Sequence, residues 1–282
     1  MKLSPVCVIG AAYTASERGV AADILAARAL SLAPIPVYTT IVVASDAVVT
    51  DVTDVPVDTV EAQLEHVRSL GPVAGVKVGV LGGPKTVQAV LEAAPSLGGP
   101  VVLDVVASGP SGETVMSARG IDALSDALDA ADLVTISKSD AELVTNGQIE
   151  SLDDAQVAAQ RMHNRGARSV VVRCGALPYR FYAAEDDPGK NNNGTVETLF
   201  ADLFYDGHDF ALYEAPLIEG APDGASSAFA LSILAGVIQG DDLEDALRKA
   251  KRYATDAVRH QVGVQGFGSR LSYADLAATR DH

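Results

Sequence analysis

An alternation of two patterns constrains this chain more than any other feature. Short runs rich in Val and Ile, at Pro5–Ile9, Val37–Val43, Val76–Leu81, Val101–Val106, Leu133–Ile136 and Val170–Arg173, recur with helical stretches between them. Runs without polar alternation suit strands buried on both faces, as in a parallel sheet. Helix starts are legible too. Asp58 with Glu61 predicts a capping box, after which Val60, Leu64 and Val67 share one face. Ser139 with Glu142 predicts a second such start. Repeated strand–helix–strand units with right-handed crossovers imply a doubly wound α/β fold, a sheet covered by helices on both sides.

The order changes after Gly175. Tyr179–Ala183 and Leu199–Tyr205 read as strands, and Phe210–Tyr213 follows an Asp206-Gly207 turn, which signals a hairpin. Glu185–Gly194, rich in Asn, Asp and Gly, reads as an exposed loop. One helix is expected from about Gly224 to Ile238, a second after Gly240 with Leu243, Leu247, Ala250 and Ala254 at helical spacing, and a short tail helix from Ser272. Nothing marks a boundary, so residues 1–282 are read as one domain.

Composition removes several function classes. The net charge is −16, with seven lysines among 282 residues, and such a surface repels a nucleic-acid backbone. It also suits life in high salt. No apolar run has the length of a membrane span, and the first strand lacks signal-peptide features. Cys7 and Cys174 both sit in apolar runs and do not form a disulfide framework, so the cytoplasm is the expected compartment. The five histidines show no paired ligand spacing, and the chain has no Walker A, Gly-x-Ser-x-Gly or dinucleotide fingerprint.

Three blocks in fixed order carry a resemblance that extends over nearly the whole chain. They are Lys77-Val-Gly-Val-Leu-Gly82; Val101-Val-Leu-Asp-Val105 with Ser111-Gly112 and Ala130-Asp-Leu-Val-Thr135; and Asp202-Leu-Phe-Tyr-Asp-Gly207 with Ala215-Pro216 and Asp223-Gly-Ala-Ser-Ser227. Together they resemble the hydroxymethylpyrimidine/phosphomethylpyrimidine kinases of the ribokinase-like superfamily, relatives of the pyridoxal kinases. The resemblance implies a three-layer α/β/α sandwich, mostly parallel, with a C-terminal antiparallel hairpin region. It also implies ATP and Mg²⁺ as cofactors, a homodimer, and phosphorylation of a small heteroaromatic alcohol in the thiamine pathway.

The same resemblance assigns candidate site residues. Gly224, Ala225, Ser226 and Ser227 occupy the turn whose backbone N–H groups meet the transferring phosphate. Ser227 stands where the family has a Cys or Asp base, and a serine hydroxyl needs an activator to accept a proton. The bland reading of Ser227 is a helix cap. Ser226 replaces a family Gly, which would be strained if the position needs positive φ. Asp223 stands at the family's His, on the far side of the turn from the base. The family's Asn-x-x-Glu becomes Ser137-Lys-Ser-Asp140, making Ser137 and Asp140 the nucleotide–magnesium candidates and Asp140 the metal ligand, unless the segment is only a helix start. Asp104 and Arg173 fall at the nucleotide phosphates. In the first loop, Gly19 and Asp23 match the family, whereas Tyr13 and Arg18 add bulk and charge. The Gln that reads the aminopyrimidine falls at Ala44 or Ser45. The substrate-side candidates are therefore Gly19, Asp23, Tyr13 and Ser45. Two other readings stay open at this point: a catalytically silent member that binds a ligand or partner, and a kinase of pyridoxal type.

Overall fold

A computed structural model of the chain describes residues 3–45, 47–179, 197–216, 218, 220, 222–266 and 268–273. Among them, β1 (Ser4–Tyr13), β2 (Leu32–Ala44), β4 (Gly75–Val78), β5 (Val101–Val105), β6 (Leu133–Ser137) and β7 (Val170–Tyr179) run parallel. β3 (Val49–Asp54) pairs antiparallel with β2, and β8 (Glu197–Tyr205) and β9 (Phe210–Ala215) continue antiparallel beyond β7. The order across the sheet is β3-β2-β1-β4-β5-β6-β7-β8-β9.

Period-two alternation splits each buried strand between two cores. On β1, Cys7 and Ile9 join one apolar cluster and Val6 and Val8 the other. The first cluster lies under α2 (Val57–Ser69), α3 (Pro84–Leu97), α4 (Ala118–Ser125), α5 (Lys138–Thr145) and α6 (Leu152–Asn164). The second lies under α1 (Val20–Ala29), α7 (Ala225–Ile238) and α8 (Leu243–Arg259). Every residue of α7 from Ser227 to Gly236 is buried, as expected of a helix apolar on all sides. The three layers and the antiparallel region match the expected architecture. Among the described residues no helix is long and apolar enough to cross a membrane.

Several local expectations are corrected. α2 begins at Val57 after Pro56, with no side-chain cap, so Asp58 and Glu61 form no capping box. α5 is capped by Ser137, whose hydroxyl accepts from the Asp140 backbone N–H, and Ser139 lies inside the helix. β7 does not stop at Arg173. It continues through Gly175 (φ 65°) with a shift of register and reaches Tyr179, absorbing the start of the strand expected there. The edge strand β3 and a closing hairpin of β10 (Gln261–Gly263) and β11 (Ser269–Leu271) are additions. The loop at 185–194, the strand portion 180–183 and the tail helix beyond Tyr273 lie outside the described residues.

The topology locates the site. β1 is flanked by β2 on one side and β4 on the other, so the chain reverses its winding there. Open sheets bind ligands beyond the carboxyl ends of strands at such a reversal.

Candidate active site

Asp104, near the carboxyl end of β5, is the hub on which the site is built. It is 1% exposed. Thr135 Oγ1 donates to it at 2.9 Å, Ser226 Oγ lies 2.9 and 2.7 Å from its two oxygens, and Arg173 Nη2 reaches it at 3.3 Å. Lys77 Nζ, from β4, stands 3.5 Å from Asp104 and 2.9 Å from Asp23 of α1. Burial by itself would raise the Asp104 carboxyl, but Lys77 and Arg173 outweigh it and hold the group below the ordinary carboxylate value. Burial would likewise lower the Lys77 ammonium, and the two carboxylates hold it above the usual lysine value instead. Lys77, quoted in the sequence only as part of a motif, is thus a central charge of the site.

The turn before α7 supplies the second element. Gly224 is its N-cap at φ 93°, and a Cβ there would lie 2.4 Å from Tyr273 Oη. Positive φ therefore belongs to Gly224, and Ser226 sits unstrained inside the helix with its hydroxyl on Asp104. Ser227 is the third helical residue, so it is not a cap. It is 5% exposed, and its hydroxyl lies on the side of buried Asp23. The first-turn N–H groups of α7 have no helical partners, and the helix dipole places partial positive charge there.

The loop from Tyr13 to Gly19 closes over this turn. Gly19 holds φ 56°, and a Cβ on it would meet Ala11 O at 2.3 Å, so glycine is required where β1 hands over to α1. Arg18 forms an ion pair with Asp223, the residue before Gly224. Arg270 of β11 holds the same loop, 3.2 Å from Glu17 and donating to Ala15 O at 3.1 Å. Tyr13 ends β1 beside Arg18, and burial pushes its phenol up to about 12. Asp23 is fully buried against Lys77, beneath the site rather than at its surface. Ser45 is apart from these residues. Its hydroxyl accepts from Ala47 N and Val48 N at 3.3 and 3.2 Å in the exposed turn between β2 and β3.

On the other flank of α7 a cleft of about 350 Å³ opens between β7, β8, α7 and α8. Its walls include Phe200, Pro216, Ile218, Phe229 and Val258, with Ser137, Arg173, Asp202, Lys251 and Ala225 as polar or backbone neighbours. Arg173 Nε is buried without a hydrogen-bond partner among the described residues, an orphan donor beside a helix N-terminus. Lys251 pairs with buried Asp202 at 2.9 Å and lies 4.5 Å over the Phe200 ring. The sequence reading missed Lys251. A lysine at a buried position of α8, following Leu247 by one helical turn, was the available signal.

Asp140, the metal candidate, is buried and accepts several hydrogen bonds. Its Oδ1 accepts from Ala107 N, Ser108 N and Ser108 Oγ at 3.2, 2.9 and 2.6 Å, and Ser137 Oγ donates to its Oδ2 at 2.8 Å. Both oxygens thus fasten the loop after β5 to the start of α5. Among the described residues no three His, Cys, Asp or Glu side chains are grouped to hold a metal ion.

The family model for phosphomethylpyrimidine kinase matches residues 15–269. The chain belongs to that family. It is 29% identical over 245 residues to the hydroxymethylpyrimidine/phosphomethylpyrimidine kinase of Aquifex aeolicus, covering 86% of this chain and 89% of the relative. Its fold superposes on a pyridoxal kinase from Bacillus subtilis in complex with ADP at a TM-score of 0.81, with 20% identity and coverage of 98% and 99%. A phosphomethylpyrimidine kinase from Clostridium difficile superposes at 0.71, with 21% identity and coverage of 91% and 100%. Within the phosphomethylpyrimidine kinase family this member has its first loop ion-paired, through Arg18 and Asp223, to the turn before α7.

Proposed function

We propose that this protein is an ATP-dependent kinase that phosphorylates the hydroxymethyl group of hydroxymethylpyrimidine or its monophosphate, a step toward thiamine. The observation that carries the reading is the apolar cleft opening onto the N-terminus of α7 beside an orphan Arg173 N–H. An adenine fits the slab formed by Phe200, Phe229 and Val258, and Lys251 borders it. The first-turn N–H groups of Ala225, Ser226 and Ser227 then face the transferring phosphate, and Arg173 pairs with a neighbouring phosphate. Asp104 does not bind the nucleotide directly in this scheme. It orients Arg173 and Ser226 from behind.

The acceptor would enter from the other flank, against Tyr13 and Gly19. Mg²⁺ accompanies the nucleotide, and no step is assigned to it because Asp140 and Asp104 are committed to protein donors. The free, buried thiols of Cys7 and Cys174, both pushed up to about 12 by burial, suit the reducing cytoplasm we assign as its compartment.

The test is a phosphotransfer assay with ATP and Mg²⁺ and, separately, hydroxymethylpyrimidine, its monophosphate and pyridoxal. Turnover of the pyrimidines above that of pyridoxal supports the reading. A folded protein whose melting temperature rises with ATP yet turns over none of them would instead be a silent, ligand-binding member.

A further inference from the structure

Among the described residues, five carboxylates surround the α7 turn, and four of them are spoken for. Asp104 is held by Thr135, Ser226, Arg173 and Lys77. Both oxygens of Asp140 accept from the loop after β5 or from Ser137. Both oxygens of Asp23 lie within 3.1 Å of the Lys77 Nζ cation, although its Oδ1 accepts no hydrogen bond among the described residues. Asp202 is paired with Lys251. Asp223 differs. Its side chain is 4% exposed, Arg18 takes Oδ1, and Oδ2 is buried with no hydrogen-bond partner among the described residues. Tyr273 Oη, packed against Gly224, is buried without such a partner as well, so it does not supply the missing donor.

A buried carboxylate oxygen without a donor is rare and costly, and the missing donor is the natural place to look for a ligand. Asp223 is also rigidly mounted. Its backbone N–H donates to Ser269 O at 2.9 Å, its partner in a bridge is Arg270, and the next residue is the N-cap of α7. Ser227 is buried as the third residue of α7.

We propose that Asp223 is the catalytic base of this enzyme, with Oδ2 accepting the proton of the acceptor's hydroxymethyl group and Arg18 fixing the carboxylate through Oδ1. The inference rests on the phosphotransfer reading above. In the step, the acceptor oxygen bonds to the γ-phosphorus of ATP while the bond from that phosphorus to the β-phosphate oxygen breaks. The electron pair leaves with ADP, and the hydroxyl proton passes to Asp223 Oδ2. The missing base and the charged first loop then have one explanation. Arg18 and Asp223 act as a pair that relocates the base from the third residue of the helix to the residue before its cap.

The experiment compares Asp223→Asn, Ser227→Ala and the double variant Asp223→Asn/Ser227→Asp with the native protein. It reads kcat and KM for hydroxymethylpyrimidine and the ATP-induced rise in melting temperature. Asp223→Asn should lose about 10²- to 10⁴-fold in kcat, the usual worth of a general base, while acceptor KM and the ATP-induced shift stay close to native. Ser227→Ala should lose at least tenfold less than that, and the added Ser227→Asp change should restore much of the activity lost in Asp223→Asn. The proposal is overturned by an Asp223→Asn protein whose kcat stays within about threefold of native. A kcat loss matched by loss of the ATP-induced shift overturns it as well, because it marks a structural role. A native protein that binds ATP but turns over no acceptor removes the kinase reading itself. That result differs from an active native protein accompanied by an equally active Asp223→Asn variant.

Discussion

On the α8 side of the α7 N-terminus the site is an apolar cleft with its cations, Arg173 and Lys251, set in the walls. On the α1 side the same turn is packed with ion pairs, Lys77 between Asp23 and Asp104, and Arg18 against Asp223. The first region works by shape, and many apolar side chains serve such a wall. The second works by pairing, where removing one partner strands the buried charge of the other. Sequence change should therefore be gradual in the cleft and arrive in pairs across the ion-paired side. Arg18 and Asp223 are such a pair.

The largest expected break in this comparison is Lys77→Met. It leaves Asp23 and Asp104 buried without their shared cation, which should cost about 3–5 kcal/mol, read as a fall in the urea midpoint at pH 7. The pH dependence gives the sign. In the native protein Asp104 sits below its ordinary 3.8, so its contribution is complete above that value and is lost on further acidification. Without Lys77 the two buried carboxylates favour protonation, and the folded state takes up more protons than the unfolded one. The deficit of Lys77→Met should then shrink between pH 7 and pH 5, and a deficit that grows over that range would contradict the picture.

Arg173→Ala tests the opposite flank. Losing a charge-assisted contact of about 1.5–3 kcal/mol should weaken ATP binding roughly 10- to 100-fold by calorimetry. Unaltered affinity would take the nucleotide out of this cleft. The two flanks meet at Gly224. Gly224→Ala forces a Cβ into left-handed backbone and against Tyr273 Oη, and should cost about 1–2 kcal/mol in thermal unfolding. Adding Tyr273→Ala should recover the contact component but not the strain. The smallest effect is expected from Lys138→Gln, which removes an i,i+4 pair with Glu142 at the rim. Stability should change by no more than about 0.5 kcal/mol, and a large loss of ATP affinity would promote Lys138 from rim to binding wall.

The parallel strands were legible because burial on both faces forces Val- and Ile-rich runs, and β5 and β6 fall within a residue of their expected bounds. β3 was not legible. Its six residues, Val49–Asp54, have exposed Thr and Asp and form a strand only because β2 offers an unpaired edge. Helix caps were misread at two positions for a related reason. Ser137 and Ser139 have the same side chain, and the choice between them depends on where β6 releases the chain. The resemblance named Asp104, Arg173 and the α7 turn, and the structure brings them into contact. That Asp140 also fastens Ala107 and Ser108 was not legible, because nothing in a sequence counts how many donors a carboxylate will meet.

By itself the sequence determined the α/β/α layering and the family. Those follow from local periodicity, from apolar composition and from short motifs whose geometry is set within a few residues. Only the tertiary structure decided which charges cancel. It joined Arg18 to Asp223 across 205 positions and Lys77 to Asp23 across 54, and among the described residues it left one oxygen each of Asp23 and Asp223 without a hydrogen-bond donor. Such pairings depend on which strand ends and helix starts the sheet brings together, and the resulting burial makes an unpaired atom costly enough to carry meaning.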